Sequence, residues 1–370
     1  MIPEDWEVKL LPEVLQFLSG KAHEQHIVPH GKYIAVNSKF ISSDGNVAKF
    51  SDKNFCPAKR DDILMVMSDL PNGKALAKTF RVFENDRYAV NQRVCILRSK
   101  GGDAGYFQYI LNRNPYFMSF DDGVQQTHLL NATFANCPLP VPPTVVEQAA
   151  IAKALSDMDE AIAAQAAVIT KKRALKVATM QALLSGTRRL PGFSGEWEIK
   201  RLGDIAKLYQ PTTIAGHQLT DSGFPVYGAN GVVGFYDRFN HDTWQCLVTC
   251  RGSTCGTVKR TFEKCWITGN AMVLNVDHNP QIEKHFFFHL LTNQDFAICI
   301  TGSGQPQIVR SPLANFEVSI PPSLAEQRAL ADLLSDLDCD VEISGSKLAK
   351  LRLLKTGMMQ QLLTGKIRLV

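Results

Sequence analysis

Two segments that lie 179 residues apart, PPTVVEQAAIAKALSDMDEAI from Pro142 and PPSLAEQRALADLLSDLDCDV from Pro321, are nearly the same. A repeat at fixed spacing constrains the fold more than any local propensity, because each copy must build the same supersecondary unit. Without gaps, 21 of the 49 positions from Pro142 to Leu190 are identical to their counterparts. Glu147-Gln148 falls on Glu326-Gln327, Leu155-Ser156-Asp157 on Leu334-Ser335-Asp336, and Arg189-Leu190 on Arg368-Leu369. The register extends back through Gln126 on Gln305 and Phe107 on Phe286 to Asn91 on Asn270. The starts of the halves also match, DWEVKLL (Asp5 to Leu11) with EWEIKRL (Glu196 to Leu202), but 191 residues apart. The first half is thus 12 residues longer, and the excess lies before Asn91.

Each repeated segment reads as a long helix. Thr144-x-x-Glu147 and Ser323-x-x-Glu326 follow Pro-Pro pairs and have the form of capping boxes. Ser185-Gly186 and Thr364-Gly365 provide glycine stops. About 40 residues between these signals make roughly 60 Å of helix at 1.5 Å per residue. Ile151, Leu155, Met158, Ile162, Ala166 and Ile169 follow a near-3.5 spacing, as do Leu330, Leu334, Leu337, Val341 and Leu348. That narrow apolar stripe requires a partner helix, and the two helices are each other's natural partner. Ser344-Gly345-Ser346 marks a place for a kink or local break in the second. The charges Asp157, Asp159, Glu160, Lys171, Lys172, Arg173 and Lys176 fit a solvated face, or one that meets protein partners or phosphates.

Residues 1–141 and 191–320 read as mixed α/β. Short β-rich runs (DILMVM from Asp61, RVCILR from Arg93, QCLVTC from Gln245, AMVLNV from Ala271) alternate with turn residues. GYFQYIL and KHFFFHLL read as short buried helices, and the loops carrying Gly73-Lys74 and Gly252-Ser253 as equivalent. Cys246, Cys250, Cys255 and Cys265 lack zinc-site spacing and are expected to be reduced, buried thiols. NPYF (Asn114 to Phe117) lacks the context of a methyltransferase loop and reads as a turn. His285 and His289 lack a third ligand and read as packing residues. There is no Walker A loop, nucleophile elbow or nuclease carboxylate cluster, so the expectation is a chain without catalytic, cofactor or metal sites.

The net charge of +4 is mildly basic and compatible with nucleic acid. No apolar run approaches the length of a membrane helix, and the acidic start lacks the pattern of a signal peptide. The expectation is a cytoplasmic protein with no membrane partner.

The duplicated α/β halves, each followed by a Pro-Pro-x-x-x-Glu-Gln helix ending in QALLSG or QQLLTG, resemble the specificity subunit of Type I restriction-modification systems. VYGANGVVGFY (Val226 to Tyr236) and TGSGQPQI (Thr301 to Ile308) add to the likeness, which covers the whole chain. The resemblance implies an α+β fold. Residues 1–141 and 191–320 become target recognition domains 1 and 2. Residues 142–190 become a central long helix with linker, and 321–370 a distal helix. The two helices would pair as an antiparallel coiled coil with pseudo-two-fold symmetry. It also implies that each domain reads one half of a split, asymmetric DNA target. The implied partners are double-stranded DNA, two modification methyltransferase subunits and a restriction/translocase subunit.

Candidate DNA-reading side chains follow from base-edge chemistry. Arg, Asn, Gln, Ser and Thr pair with base edges, whereas Lys usually meets phosphate. In the first half these are Lys74, Lys78, Arg81, Gln125, Gln126 and His128. In the second they are Tyr227, Asn230, Arg251, Ser253, Thr254, Gln305 and Gln307. Gln126 and Gln305 match across the repeat and fit anchoring as well as discrimination. Two rival readings are a protein–protein scaffold with peptide-binding α/β domains and a stand-alone methyltransferase.

Overall fold

A computed structural model describes residues 3–70, 73–229, 231–302 and 306–369. The chain divides into two compact units, residues 1–166 with 347–370, and residues 167–346. The expected long helices are α1 (Val145–Leu184) and α2 (Leu324–Leu362). Helix α2 runs unbroken through Ser344-Gly345-Ser346, the place the sequence marks for a kink or local break. One helical glycine costs only about 1 kcal/mol. Keeping the apolar stripe in register on both sides of Gly345 outweighs that cost.

Both units are built on the same plan. In unit 1, β1 (Leu15–Ser19), β2 (Ile63–Val66), β3 (Thr79–Arg81) and β4 (Val94–Ser99) form an antiparallel sheet in the order β1-β4-β2-β3. In unit 2, β5 (Lys207–Tyr209), β6 (Cys246–Thr249), β7 (Val258–Arg260) and β8 (Ala271–Asn275) repeat it as β5-β8-β6-β7. Strand residues here are almost continuously apolar because both faces are covered: Ile63 to Val66 and Cys246 to Val248 are fully buried. A short helix follows the last sheet strand in each unit, Ala104–Leu111 in one and Lys284–Thr292 in the other. A two-strand clasp joins the start of each globular part to its end, Glu7–Leu10 with Pro138–Val141 and Glu198–Arg201 with Glu317–Ile320. Each unit also has a second sheet, four-stranded in the longer first half (Ile27–Val28, Tyr33–Val36, Lys49–Ser51 and Tyr88–Val90) and three-stranded in the second (Phe224–Gly228, Gly231–Tyr236 and Trp266–Ile267). The four first-half strands lie before Asn91, where the sequence places the 12-residue excess.

Segments of both long helices complete the core of each unit. In unit 1, Ile151, Ala152 and Leu155 of α1 join Leu362 of α2 and Leu363 just beyond it in one cluster with Trp6, Phe107 and Leu139. In unit 2, Met180, Leu183 and Leu184 join Leu330, Ala331 and Leu334 with Leu202, Phe286 and Val318. Leu155 and Leu334 are counterparts in the repeat, and both are 0% exposed. Within each unit the helices run antiparallel. In unit 1, Asp159 meets Lys355 at 2.5 Å and Glu147, earlier on α1, meets Arg368. In unit 2, Lys172 meets Asp340 at 3.1 Å, Lys176 meets Asp338, and Arg189 meets Glu326 at 2.6 Å. Much of the charge on the helix faces is therefore spent between helices.

The repeated Glu-Gln pair is explained by these junctions. Thr144 caps as expected, its hydroxyl accepting from the Glu147 amide at 3.2 Å. The glutamates do not turn back to complete a box. Glu147 instead takes the guanidinium of Arg368, and Glu326 that of Arg189. Two charge-assisted bonds to a fork outcompete one bond to a backbone amide. Each arginine also lies over an indole, Arg368 over Trp6 at 5.8 Å and Arg189 over Trp197 at 5.7 Å. The paired glutamines act as two-sided clips. Gln148 accepts from the Asp103 amide at 2.9 Å and donates to the Pro142 carbonyl at 3.2 Å. Gln327 does the same with the Glu283 amide at 2.8 Å and the Pro321 carbonyl at 3.0 Å. Each clip ties the start of a long helix to the cap of the short helix in the same unit.

NPYF forms one helical turn, Pro115–Met118, with Asn114 accepting from the Tyr116 amide at 2.9 Å, where a plain turn is expected from sequence. His289, 3% exposed, bonds Ser335 Oγ at 3.1 Å, and His285 packs on Trp244. Burial is the main cause that lowers the His289 pKa to about 4, against the opposing pull of Asp338. In the unfolded chain it protonates near pH 6.5. The unfolded state thus binds more protons between pH 6.5 and 4, so stability falls as pH drops through that window. Between pH 6.5 and 5 the loss expected from this histidine is roughly 2 kcal/mol. Urea unfolding at several pH values should show a shallower acid dependence for His289→Gln than for the parent chain.

Candidate nucleic-acid interface

Several of the described sequence candidates lie on segments that leave the central sheets. In unit 2, the turn after β6 runs from Arg251 to Gly256, with Gly252 and Gly256 in the left-handed region at φ 81° and 89°. Arg251 makes an antiparallel bridge with Gln307, and the Ile308 amide donates to the Cys250 carbonyl at 3.0 Å. This ladder sets Arg251 beside Gln307, with Ser253 in the turn that follows; Arg251 and Ser253 are exposed, while Gln307 and Thr254 are half-buried. Gln307 also pairs with Thr301, and Ile308 with Ile300. Asn230 and Gln305 lie outside the described residues.

Unit 1 builds the same place with different side chains. Ser68–Asp69, just after β2, pairs with Thr127–His128. At the 179-residue offset His128 falls on Gln307, and their ladder partners, Ser68 and Arg251, answer to each other. Lys74, Gln125, Gln126 and His128 are exposed around this pair, and Gln126 donates to Ser68 Oγ at 3.0 Å. The Lys74 turn is held from below. Asp69 Oδ2 accepts from the Ala75 and Leu76 amides at 2.7 and 3.2 Å, and Arg113 donates to the Gly73 carbonyl at 3.3 Å.

Three candidates sit differently from the rest. Tyr227 is 5% exposed and belongs to a core cluster with Leu247, Ile267 and Val273. Its hydroxyl accepts from the Phe262 amide at 3.0 Å, so it is a packing residue with a satisfied polar tip, a correction to its sequence assignment. Lys78 bonds Asp44 at 2.9 Å and the Ser42 carbonyl at 3.1 Å. Arg81 holds Asp61 through two nitrogens at 3.0 and 2.6 Å. Both cations are neutralised within the fold, which removes the charge a phosphate contact would use. Sequence gives no sign of these pairings because Asp44 and Asp61 lie tens of positions upstream.

Burial pushes the Cys246 thiol up to about 12 and Cys250 to about 11, the behaviour of inert core thiols. Among the described residues no group of three His, Cys, Asp or Glu side chains is placed to hold a metal. No described helix is long and apolar enough to cross a membrane.

The family model for the Type I restriction modification DNA specificity domain matches the chain twice, over residues 3–171 and 194–353. The chain belongs to the Type I restriction-modification specificity family. The two matches follow the two halves of the duplication. The chain is similar to the Type I restriction enzyme MjaVIII specificity subunit of Methanocaldococcus jannaschii, with 24% identity over 99% of this chain and 94% of the relative. It is also similar to the EcoprrI specificity subunit of Escherichia coli, with 28% identity over 39% of this chain and 36% of the relative. Among solved structures, the S subunit from M. genitalium matches with a TM-score of 0.68 and 19% identity, covering 98% of this chain and 96% of that one. A subunit from a study of complex assembly in the type I system matches at 0.62 and 14%, covering 99% and 100%. At these identities the structures speak for the fold, which is that of a specificity subunit.

Proposed function

We propose that this specificity subunit is a non-catalytic DNA reader whose two halves recognise unlike parts of one split target. Residues 1–141 and 191–320 act as the two target recognition domains, and residues 142–190 and 321–370 as helical spacers. The observation that carries this reading is the pair of equivalent loop sites. The same place in each unit presents Lys74, Gln125 and His128 in one and Arg251, Ser253 and Gln307 in the other. A shared scaffold with different base-edge chemistry is what an asymmetric bipartite target requires. Gln126 serves more as an anchor, being bonded to Ser68.

Each long helix is a single run of about 40 residues, roughly 60 Å at 1.5 Å per residue. Leu175 and Val177 on α1, and Leu353 and Leu354 on α2, are exposed apolar side chains. Such side chains favour the docking of two modification methyltransferase subunits, with the restriction/translocase subunit joining the larger assembly. No cofactor is assigned to this chain; the methyl donor belongs to the partner.

Salt dependence of DNA binding tests the reading. With about six phosphate contacts, affinity should fall roughly 10³-fold between about 50 and 200 mM salt. Binding of peptides together with salt-indifferent or absent DNA binding would support a protein scaffold instead. Binding of S-adenosylmethionine by the isolated chain would support a methyltransferase.

A further inference from the structure

Resting on the DNA-reading function proposed above, we infer that unit 1 reads thymine methyl groups through two exposed apolar side chains, Leu70 and Val124. Leu70 is 67% exposed and Val124 76%, an unfavourable placement for two aliphatic side chains in the free chain. Isolated exposed aliphatics are ordinary; these two share a structural position with the reading loops. The ladder that pairs Asp69 with Thr127 and Ser68 with His128 is antiparallel. The residue after Asp69 and the residue before Thr127 therefore leave it at the same end. Leu70 is the first, and Gln126, Gln125 and Val124 lead back from the second.

The electrostatics of these turns select the occupant. Asp69 accepts from the backbone amides of Leu70, Ala75 and Leu76. Asp121 accepts from the Gly123 amide and the Thr127 hydroxyl, and Asp122 from the amides of Val124 and Gln125. The local carboxylates thus brace the turns, while Lys74, Gln125 and His128 are exposed beside Leu70 and Val124. An apolar pair beside the exposed Gln125 and Lys74, with the Asp122 carboxylate held by the Val124 and Gln125 amides, suits the major-groove edge of an A·T pair. That edge offers a methyl group on thymine, and on adenine a donor and an acceptor that glutamine can meet at once. In unit 2 the equivalent place has Arg251 and Ser253, which suits guanine.

The test uses the full chain with its modification methyltransferase. Methylation mapping first gives the target. Duplexes are then made with deoxyuridine, which lacks only the methyl, in place of thymidine in one half-site at a time. In the half-site whose recognition is altered by Leu70→Ser with Val124→Ser, uracil should weaken binding about fourfold per methyl, corresponding to about 0.8 kcal/mol. The double variant should bind the thymine duplex correspondingly less well and no longer distinguish uracil. An unchanged melting temperature shows that this variant is folded, as expected for exposed positions. A split target with undiminished binding to uracil duplexes, or a double variant that keeps the full preference for thymine, overturns this inference while the bipartite reading stands. A target that is not split overturns the bipartite reading itself.

Discussion

Stranding the buried Glu147 by Arg368→Ala should cost unit 1 about 3 kcal/mol, and stranding Glu326 by Arg189→Ala should cost unit 2 about as much. In each case the glutamate left behind is 1% exposed and loses its two-pronged partner. An uncompensated buried carboxylate is the expensive outcome; the arginines themselves are partly solvated and would be cheaper to strand. At this size, about 3 kcal/mol corresponds to a fall of about 6 to 12 °C in the melting temperature. Lysine should restore little, because it cannot present a planar fork to the carboxylate or stack on Trp6 or Trp197. Adding Glu147→Gln to Arg368→Ala should recover part of the loss, since a neutral amide tolerates burial better than a stranded charge. Because Arg368, Glu147, Asp5 and Trp6 all lie in unit 1, hydrogen exchange should localise that damage to unit 1, with the mirror result for Arg189. Loss of less than about 0.5 kcal/mol in both variants would show that the locks are ordinary surface pairs.

Arg251→Ala should weaken specific DNA binding by roughly 10- to 100-fold, the range expected when a bidentate base contact worth about 1–3 kcal/mol is lost. It should also relax the sequence requirement at one position of one half-site. If Arg251 met only phosphate, all sequences would weaken alike and the salt slope would fall by about 1. Arg251→Lys should keep non-specific affinity but not the discrimination. Arg81→Ala is the contrasting variant. Arg81 is already engaged by Asp61, so its removal should change DNA affinity less than about threefold. Electrophoretic mobility shifts with matched and singly mismatched duplexes measure both effects.

How far this was legible in the sequence differs from part to part. The duplication, the two helices and four of the central strands were legible, because the 179-residue register and the apolar spacing report local geometry directly. The partners of Glu147 and Glu326 were not. A capping box and a distant lock use the same Thr-x-x-Glu letters, and only the antiparallel pairing places Arg368 and Arg189 within reach. A signal was present all the same: Trp6 with Trp197 and Arg189 with Arg368 both recur across the repeat, as residues serving one shared structural purpose would. Tyr227 was misread because a tyrosine in a glycine-rich run has the same letters whether it stands on a loop or in a strand. Phe224–Gly228 is a strand paired on both sides, which turns Tyr227 inward. Leu70 and Val124 drew no notice, since exposure of an aliphatic residue cannot be read from its neighbours in sequence.

The central claim is that one chain carries two unlike readers for one divided target. Methylation mapping of genomic DNA from a host that carries this subunit with its methyltransferase tests it most directly. The account predicts a single asymmetric motif, two specified parts separated by unspecified bases, with only one part altered by Arg251→Ala. A continuous palindromic motif, or methylation unchanged by removal of this subunit, would contradict it.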